Sequence, residues 1–239
     1  MRWKTFRGQL LHEPLLGVHV YQNPWYRWLT FGGTAIQTCI HRRHPENPVL
    51  SYIKPFIAAA RIFPGDLCLL GLGGAGVLHA LTPYWPPMDI HAVESNATVI
   101  QLATDYFMID RLASLRVEHQ DAAHFLKHSY GSYQHVLVDI FTDDGFSEQC
   151  NQVSFFEDCR RVLLTGGVLA FNLVDLTKAA SLVSQIRDVF DGSTVILPIK
   201  KTSNVVMLAV KDKSIMPLID KLHLKKTIWK PQFGYIGFL

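Results

Sequence analysis

The segment Asp66-Leu-Cys-Leu-Leu-Gly-Leu-Gly-Gly-Ala-Gly76 decides the fold of this 239-residue chain. Its apolar half, 67–70, is typical of a short buried β-strand, and its glycine-rich half is typical of a tight turn. Glycines are needed in such a turn because a side chain would keep the backbone away from a bound ligand and would resist positive φ angles. The apolar residues 77–81 follow and predict a helix.

Gly71, Gly73 and Gly76 satisfy the pattern G-x-G-x-x-G, and Glu94 ends the next apolar run. An acid about 20 residues beyond the glycines is placed to accept hydrogen bonds from ribose hydroxyls. The order of strand, glycines, helix and acid therefore predicts a site for a nucleoside-bearing cofactor. The glycines alone fit a dinucleotide site equally well, and they also fit a tight turn that binds no ligand.

Strand-like and helical stretches alternate from residue 66 onward, which predicts an α/β fold with a doubly wound, mostly parallel sheet. The expected strands are 67–71, 89–94, 114–118, 134–139 and 167–173, and the expected helices are 76–82, 96–108, 122–128, 151–164 and 177–190. Two further strand-like runs, 194–199 and 205–210, are joined by a link too short for a crossover helix, so they must pair antiparallel. Such a closing hairpin is typical of methyltransferase-type sheets and favours an S-adenosyl nucleoside over NAD. We expect a seven-stranded, Rossmann-like, S-adenosylmethionine-dependent methyltransferase fold.

Residues 15–40 alternate polar and apolar side chains between turn residues, which predicts two or three short antiparallel strands. We therefore divide the chain into an N-terminal β-hairpin segment (1–48), a methyltransferase-like nucleoside-binding domain (49–213) and a C-terminal tail (214–239). Residues 51–63 have helical spacing and lead into the first parallel strand. The tail carries aromatic residues that we expect to pack on the body or on a partner: Trp229, Phe233, Tyr235 and Phe238.

The composition excludes several classes of protein. Hydrophobic residues make up 49% of the chain and charged residues 18%, so a large core can form and the chain is not disordered. The formal net charge of +3 is too small to indicate nucleic-acid binding. Neither a signal peptide nor a membrane span is expected. The four cysteines lack metal-ligand spacing, so we expect no metal site and a reducing, cytoplasmic setting.

Three acidic residues follow strands of the predicted sheet: Glu94, Asp121 and Asp139. Ligands of doubly wound sheets bind beyond the carboxyl ends of the strands, so these side chains are placed to serve one site. Asp121 with Ala122 is placed to bind an adenine amino group, and Asp121 equally fits the N-cap of the following helix. Asp139 is placed to take a proton from an incoming amine or to orient that amine for attack on a carbon bonded to sulfonium. The alternative for Asp139 is an acid that caps the following loop.

Together these residues resemble the spermidine synthase family, the polyamine aminopropyltransferases, over about residues 21–210. The stretches that are similar to its motifs are Tyr26-Arg-Trp-Leu-Thr-Phe-Gly-Gly33, Ile36-Gln37, Ser51-Tyr52, Leu70-Gly-Leu-Gly-Gly-Ala-Gly-Val-Leu78, Ala92-Val-Glu94, Asp121-Ala122 and Val138-Asp139. The resemblance covers most of the chain and includes an N-terminal β segment that most small methyltransferases lack.

The resemblance implies a role for each matching residue. Gln37 would face the nucleoside, Glu94 the ribose and Asp121 the adenine. Tyr52 would contact the acceptor amine, and Asp139 would be the catalytic base. The implied donor is decarboxylated S-adenosylmethionine, the acceptor putrescine or a relative, and the assembly a homodimer. The reaction is an in-line displacement at the propyl carbon, for which proximity and a deprotonated amine supply most of the catalysis.

Three positions depart from the family pattern where the amine would bind. Gly74 and Thr142 stand where the family has acids, although Asp143 is adjacent, and Lys54 stands where it usually has a Glu. A dicationic amine needs several carboxylates around it, so these departures suit a family member with a different acceptor. Two other functions stay open: a methyltransferase that uses S-adenosylmethionine on an unknown small acceptor, and a non-catalytic family member.

Overall fold

The structure, a computed structural model, describes residues 4–12, 17–33, 35–82, 89–140, 149–174, 180–230 and 234–238. These ranges contain two β-sheets and eight α-helices. The helices are α1 (Ile53–Phe56), α2 (Ala58–Ile62), α3 (Gly76–Leu81), α4 (Ala97–Phe107), α5 (Ala122–His128), α6 (Val153–Val162), α7 (Ala180–Val189) and α8 (Met216–Lys221). None of these helices is long and apolar enough to cross a membrane.

The small N-terminal sheet is antiparallel, with its strands in chain order. Its strands are β1 (Gln9–His12), β2 (Val18–Gln22), β3 (Tyr26–Phe31) and β4 (Ile36–His41). Alternate residues of β2, among them Val18 and Val20, are buried against Leu102 and Phe107 of α4, as expected for a sheet with one buried face. The sequence predicted two or three strands here. It did not predict β1, whose residues are exposed or partly buried and show no clear alternation.

The large sheet contains nine strands in the described part of the chain, in the order β12-β13-β10-β11-β9-β8-β5-β6-β7. They are β5 (Leu67–Leu70), β6 (Ile90–Glu94), β7 (Leu115–His119), β8 (Tyr133–Val138), β9 (Leu163–Val174), β10 (Thr194–Pro198), β11 (Asn204–Val210), β12 (Lys225–Lys230) and β13 (Gly234–Phe238). Strands β5 to β9 pair in parallel, and β11 pairs antiparallel with both β9 and β10. The predicted fold class, including the closing antiparallel hairpin, is confirmed.

Helices cover both faces of the large sheet. On strand β5, Leu67 and Leu69 face a core shared with α1, α2, α3 and α8, whereas Cys68 and Leu70 face a core shared with α5, α6 and α7. A strand with apolar residues at every position is what burial on both faces requires, because successive side chains point to opposite faces. The helix expected over 51–63 is divided at Ile57 into α1 and α2.

The C-terminal residues extend the large sheet beyond the seven predicted strands. Strand β13 pairs in parallel with β10, and β12 pairs antiparallel with β13. Tyr235 and Phe238 therefore belong to a sheet strand, as does Trp229 on β12, while Phe233 lies outside the described residues. The division of the chain at residues 48 and 213 stays a prediction.

Candidate functional site

The glycine-rich loop joins β5 to α3 in a conformation that glycine makes accessible. Gly71 and Gly73 have φ angles of +92° and +50°. A Cβ atom at Gly71 would overlap the backbone carbonyl of Asp139, so a side chain is excluded there. Gly71 N–H also donates to the Val93 carbonyl at 2.8 Å, which ties the loop to the next strand.

Thr38 of β4 holds this loop from the N-terminal sheet. The Gly74 N–H donates to Thr38 Oγ1 at 2.8 Å. A Cβ atom at Gly74 would lie 2.8 Å from Thr38 Cγ2 and 2.9 Å from Phe107 Cδ1. The loop position at which the resembling family has an acid therefore has no room for a side chain in this protein.

Glu94 lies at the end of β6 and accepts a hydrogen bond from the backbone of the glycine-rich loop. Its Oε2 accepts a hydrogen bond from the Leu72 N–H, and its Oε1 accepts one from the Asn96 N–H, each at 3.0 Å. These bonds fix the carboxylate in one orientation, and each oxygen has a further lone pair for a ribose hydroxyl. The geometry suits the role that the resemblance implies.

Asp121 caps a helix, which is one of the two roles that the sequence left open, and it also lies in a cavity wall. Its Oδ1 accepts a hydrogen bond from the His124 N–H at 2.9 Å, which makes it the N-cap of α5. Asp121 and Ala122 also line the cavity described below. Capping holds the side chain at the cavity wall and does not withdraw it from the site.

Asp139 is the centre of a hydrogen-bonded chain of side chains. Tyr52 Oη donates to Asp139 Oδ2 at 2.6 Å, and Asn172 Nδ2 donates to Oδ1 at 2.8 Å. Asn204 Nδ2 in turn donates to Asn172 Oδ1 at 3.1 Å. The chain joins the start of α1, the end of β8, and the paired strands β9 and β11. Each carboxylate oxygen of Asp139 therefore accepts a hydrogen bond from another side chain.

Burial and hydrogen bonding have opposite effects on the pKa of the Asp139 carboxyl. Burial raises the pKa of Asp139, and the bonds from Asn172 and Tyr52 lower it by a smaller amount. Burial, with Asp139 next to it, raises the pKa of the Tyr52 hydroxyl well above its usual value. Tyr52 therefore stays protonated and donates, while Asp139 is a stronger base than an exposed aspartate.

A cavity of about 1090 Å³ brings the predicted site residues together. Its wall includes Gln37, Tyr52, Gly71, Gly73, Gly76, Glu94, Asp121, Ala122 and Asp139. The volume suits a nucleoside with a side chain, and Val93 and Leu182 add apolar wall. Within the described ranges no group of three or more His, Cys, Asp or Glu side chains is placed to hold a metal ion.

The sequence analysis missed several residues of this cavity. Asn172 is 1% exposed within the apolar run of β9, and a buried amide in such a run is a signal that could have indicated the site. Lys200 and Lys201 also line the cavity, from the β10–β11 link that we described only as too short for a crossover helix. Lys54, which we expected near the amine, lines a different cavity, and Thr142 and Asp143 lie outside the described residues.

Comparison with known proteins agrees with the fold. The family profile of the spermine/spermidine synthase domain matches residues 63–217. The polyamine aminopropyltransferase of Chromobacterium violaceum is 26% identical over 226 residues, which cover 93% of this chain and 87% of the relative. That of Neisseria meningitidis serogroup A is 26% identical over 213 residues, which cover 87% and 81%.

Solved structures share the fold at lower identity. A probable spermidine synthase from Corynebacterium glutamicum has a TM-score of 0.71 at 19% identity, covering 84% of this chain and 79% of that one. Human methyltransferase-like protein 13 in complex with SAH has a TM-score of 0.64 at 19% identity, covering 73% and 90%. Because the family profile spans more than half of the chain, the chain belongs to the spermine/spermidine synthase family.

Proposed function

We propose that the protein is an aminopropyltransferase that uses decarboxylated S-adenosylmethionine as the donor and an amine as the acceptor. The observation that carries this proposal is the Tyr52–Asp139–Asn172 chain, which faces the same cavity as the glycine loop and Glu94. In the proposed reaction, this chain would hold a base beside the donor nucleoside. The names of the relatives, polyamine aminopropyltransferases, support the same reaction.

The nucleoside half of the cavity would hold the donor. Glu94 would bind the ribose hydroxyls, Asp121 and Ala122 the adenine, and Gln37 the rest of the nucleoside from the N-terminal sheet. The loop glycines allow the backbone to approach the donor closely. Two solved structures of this fold support an S-adenosyl-type ligand, one a spermidine synthase with the transition-state analogue AdoDATO and the other the human protein with SAH.

The acceptor amine would react beside Asp139. Its nitrogen attacks the propyl carbon bonded to the sulfonium, and the carbon–sulfur bond breaks as the electron pair moves to sulfur. Methylthioadenosine leaves as a neutral thioether, and the proton of the new ammonium passes to Asp139. Tyr52 and Asn172 keep the carboxylate oriented toward the amine, so that little reorganisation is needed during the displacement.

The acceptor is expected to carry less positive charge than putrescine. Gly74 leaves no room for a carboxylate, and Lys200 and Lys201 add cationic groups to the wall. Like charges repel across a shared cavity, so a second ammonium group on the acceptor is unfavourable here. A panel of amines tests this expectation: a monoamine or an amino acid should be used better than putrescine.

Calorimetry with three nucleosides tests the proposed reaction. Methylthioadenosine and decarboxylated S-adenosylmethionine should bind, the latter more tightly than S-adenosylmethionine, and mass spectrometry should detect an aminopropylated amine. Tighter binding of S-adenosylmethionine with a methylated product would replace the proposal with a methyltransferase. Absence of heat from all three compounds would favour the non-catalytic alternative.

We also propose that the enzyme is a homodimer in the cytoplasm. The four cysteines, all within the described ranges, are buried and form no disulfide, which suits a reducing compartment. The dimer is supported by the family resemblance. Size-exclusion chromatography with light scattering would measure the mass, and a mass of one chain at micromolar concentration would contradict the dimer.

A further inference from the structure

A second cavity adjoins the larger one and shares Ser51 and Lys200 with it, but neither Tyr52 nor Asp139 lines it and the proposed reaction does not use it. Its volume is about 630 Å³, within the range of small-molecule sites. Helices α1 and α2 form one wall, and β10, α8 and the end of β13 form the others. The interior is apolar, with Ala58, Leu197 and Ile199 all buried.

Positively charged side chains surround this apolar interior. Lys54 comes from α1, Arg61 from α2, Lys200 from the β10–β11 link and Lys221 from α8. None of the residues in the cavity wall is acidic in the described part of the chain. These cations come from four separate elements around one cavity, so an anion bound there would be attracted by each of them.

The lysines of this group are available to a ligand. Across the described ranges, no ion pair joins Lys54, Lys200 or Lys221 to an acidic side chain. Lys221 Nζ lies 4.3 Å from the centroid of the Phe63 ring, which holds this ammonium group near the cavity by a cation–π contact. All three lysine side chains are exposed, so their ammonium groups can turn toward a bound anion.

We propose that this second cavity binds an amphipathic organic anion, with its apolar body against Ala58, Leu197 and Ile199 and its anionic head between Lys54 and Lys221. Both halves of the site are needed for this assignment. An inorganic anion would leave the apolar interior in contact with water, and an uncharged apolar compound would give Lys54 and Lys221 no anionic group to bind. A carboxylate or a phosphate monoester can supply the head.

The test uses the full-length protein and 1-anilinonaphthalene-8-sulfonate, a fluorescent amphipathic anion, as the probe. The double variant Lys54→Glu/Lys221→Glu should weaken probe binding by about tenfold or more, because each substitution places a repulsive charge beside the anion. The matched control Lys127→Glu/Lys213→Glu makes the same change in net charge at exposed positions outside the cavity wall, and should bind as the parent does. Lys200 is left unchanged since it also lines the larger cavity.

Competition identifies the chemistry of the ligand. Decanoate or decyl phosphate should displace the probe from the parent protein, and decanol and decylamine should displace it weakly. Equal loss of binding in both double variants, unchanged binding in Lys54→Glu/Lys221→Glu, or displacement by decanol as strong as by decanoate would each overturn the proposal. No nucleoside enters this test, so its result does not depend on the proposed aminopropyl transfer.

Discussion

At Asp139, burial raises the pKa of the carboxyl while hydrogen bonds from Tyr52 and Asn172 partly oppose that rise. A base with a raised pKa holds the proton of an amine more readily than an exposed aspartate does. To act as the proposed base, Asp139 must stay ionised at neutral pH so that it can accept that proton. The two hydrogen bonds serve this second requirement, because they stabilise the charged form.

Replacing Asp139 with Asn should remove turnover and leave the nucleoside site intact. We expect kcat for aminopropyl transfer to fall by about 10²- to 10⁴-fold, the usual contribution of a positioned general base. The affinity for methylthioadenosine, measured by calorimetry, should change by less than about twofold, since Glu94 and Asp121 are untouched. Asp110→Asn, at an exposed acid, is the control. Full turnover in Asp139→Asn would remove the proposed base.

The same substitution should stabilise the protein at neutral pH. Because the pKa of Asp139 is raised by folding, the folded state binds its proton more tightly than the unfolded chain does. That contribution to stability is complete below the unfolded pKa and is lost as pH rises through the folded pKa. Asp139→Asn should therefore have a higher Tm than the parent at pH 7, by about 2–4 °C per kcal/mol for a chain of this size.

The pH dependence of the Tm difference shows whether the stabilisation comes from the ionisation of Asp139 or from another effect of the substitution. The difference in Tm between Asp139→Asn and the parent should shrink toward acidic pH, where the aspartate of the parent is protonated in both states. Thermal unfolding followed by circular dichroism from pH 4 to pH 8 measures it. A Tm difference that is constant over this range would show that ionisation of Asp139 is not its cause.

At the scale of elements, the loop between β5 and α3 connects the two sheets. It bonds to Val93 of β6 through Gly71 and to Thr38 of β4 through Gly74. The loop is therefore one contact between the two sheets, and Gln37 of β4 lines the same cavity directly. Its conformation depends on glycine at Gly71, where φ is +92° and a Cβ atom would meet the Asp139 backbone.

Gly71→Ala should weaken both stability and nucleoside binding. A side chain at this φ and in this space costs about 1–3 kcal/mol, and moving the Asp139 backbone would also displace the base. Urea unfolding gives the stability change, and calorimetry gives the affinity for methylthioadenosine. Gly33→Ala is the matched control, because the nearest atom to a Cβ there is 4.0 Å away. Equal stability of the two variants would contradict this account of the loop.

Across the whole molecule, the C-terminal hairpin covers one edge of the large sheet. Strand β13 pairs Tyr235 and Ile236 with Val195 and Ile196 of the otherwise open strand β10. The new edge strand, β12, contains lysines at 225, 226 and 230. Lysine on an edge strand discourages pairing with another chain. The hairpin therefore replaces the apolar strand β10 at the sheet edge with a lysine-containing strand that is less prone to such pairing.

Removing the hairpin should therefore cause association without unfolding the sheet. A chain ending at Leu224 would expose the unpaired N–H and C=O groups of β10, whose Val195 and Ile196 lie in a fully apolar stretch. Light scattering should show aggregates that grow with protein concentration. The far-UV circular dichroism spectrum of the truncated chain should stay typical of an α/β protein. A truncated chain with the same mass distribution as the full chain would contradict this role.

The comparison of sequence with structure is clearest at the three acids. Glu94, Asp121 and Asp139 were predicted to share one crevice, and the structure places all three in the wall of one cavity. This was possible because strand and helix periods are local patterns, and the carboxyl ends of parallel strands meet at one edge. The roles of these acids toward a substrate stay predictions.

By itself the sequence determined the alternation of elements, the doubly wound sheet and the place of its glycine loop, since each depends on residues close together along the chain. Only the tertiary structure decided that Asn172 and Asn204 continue the hydrogen-bonded chain that begins at Asp139. It also decided that Lys54 lines a second cavity and that β13 pairs with β10. These contacts join residues far apart in the chain. Their free energy comes from packing and pairing that exist only after the elements have assembled, and no local pattern encodes them.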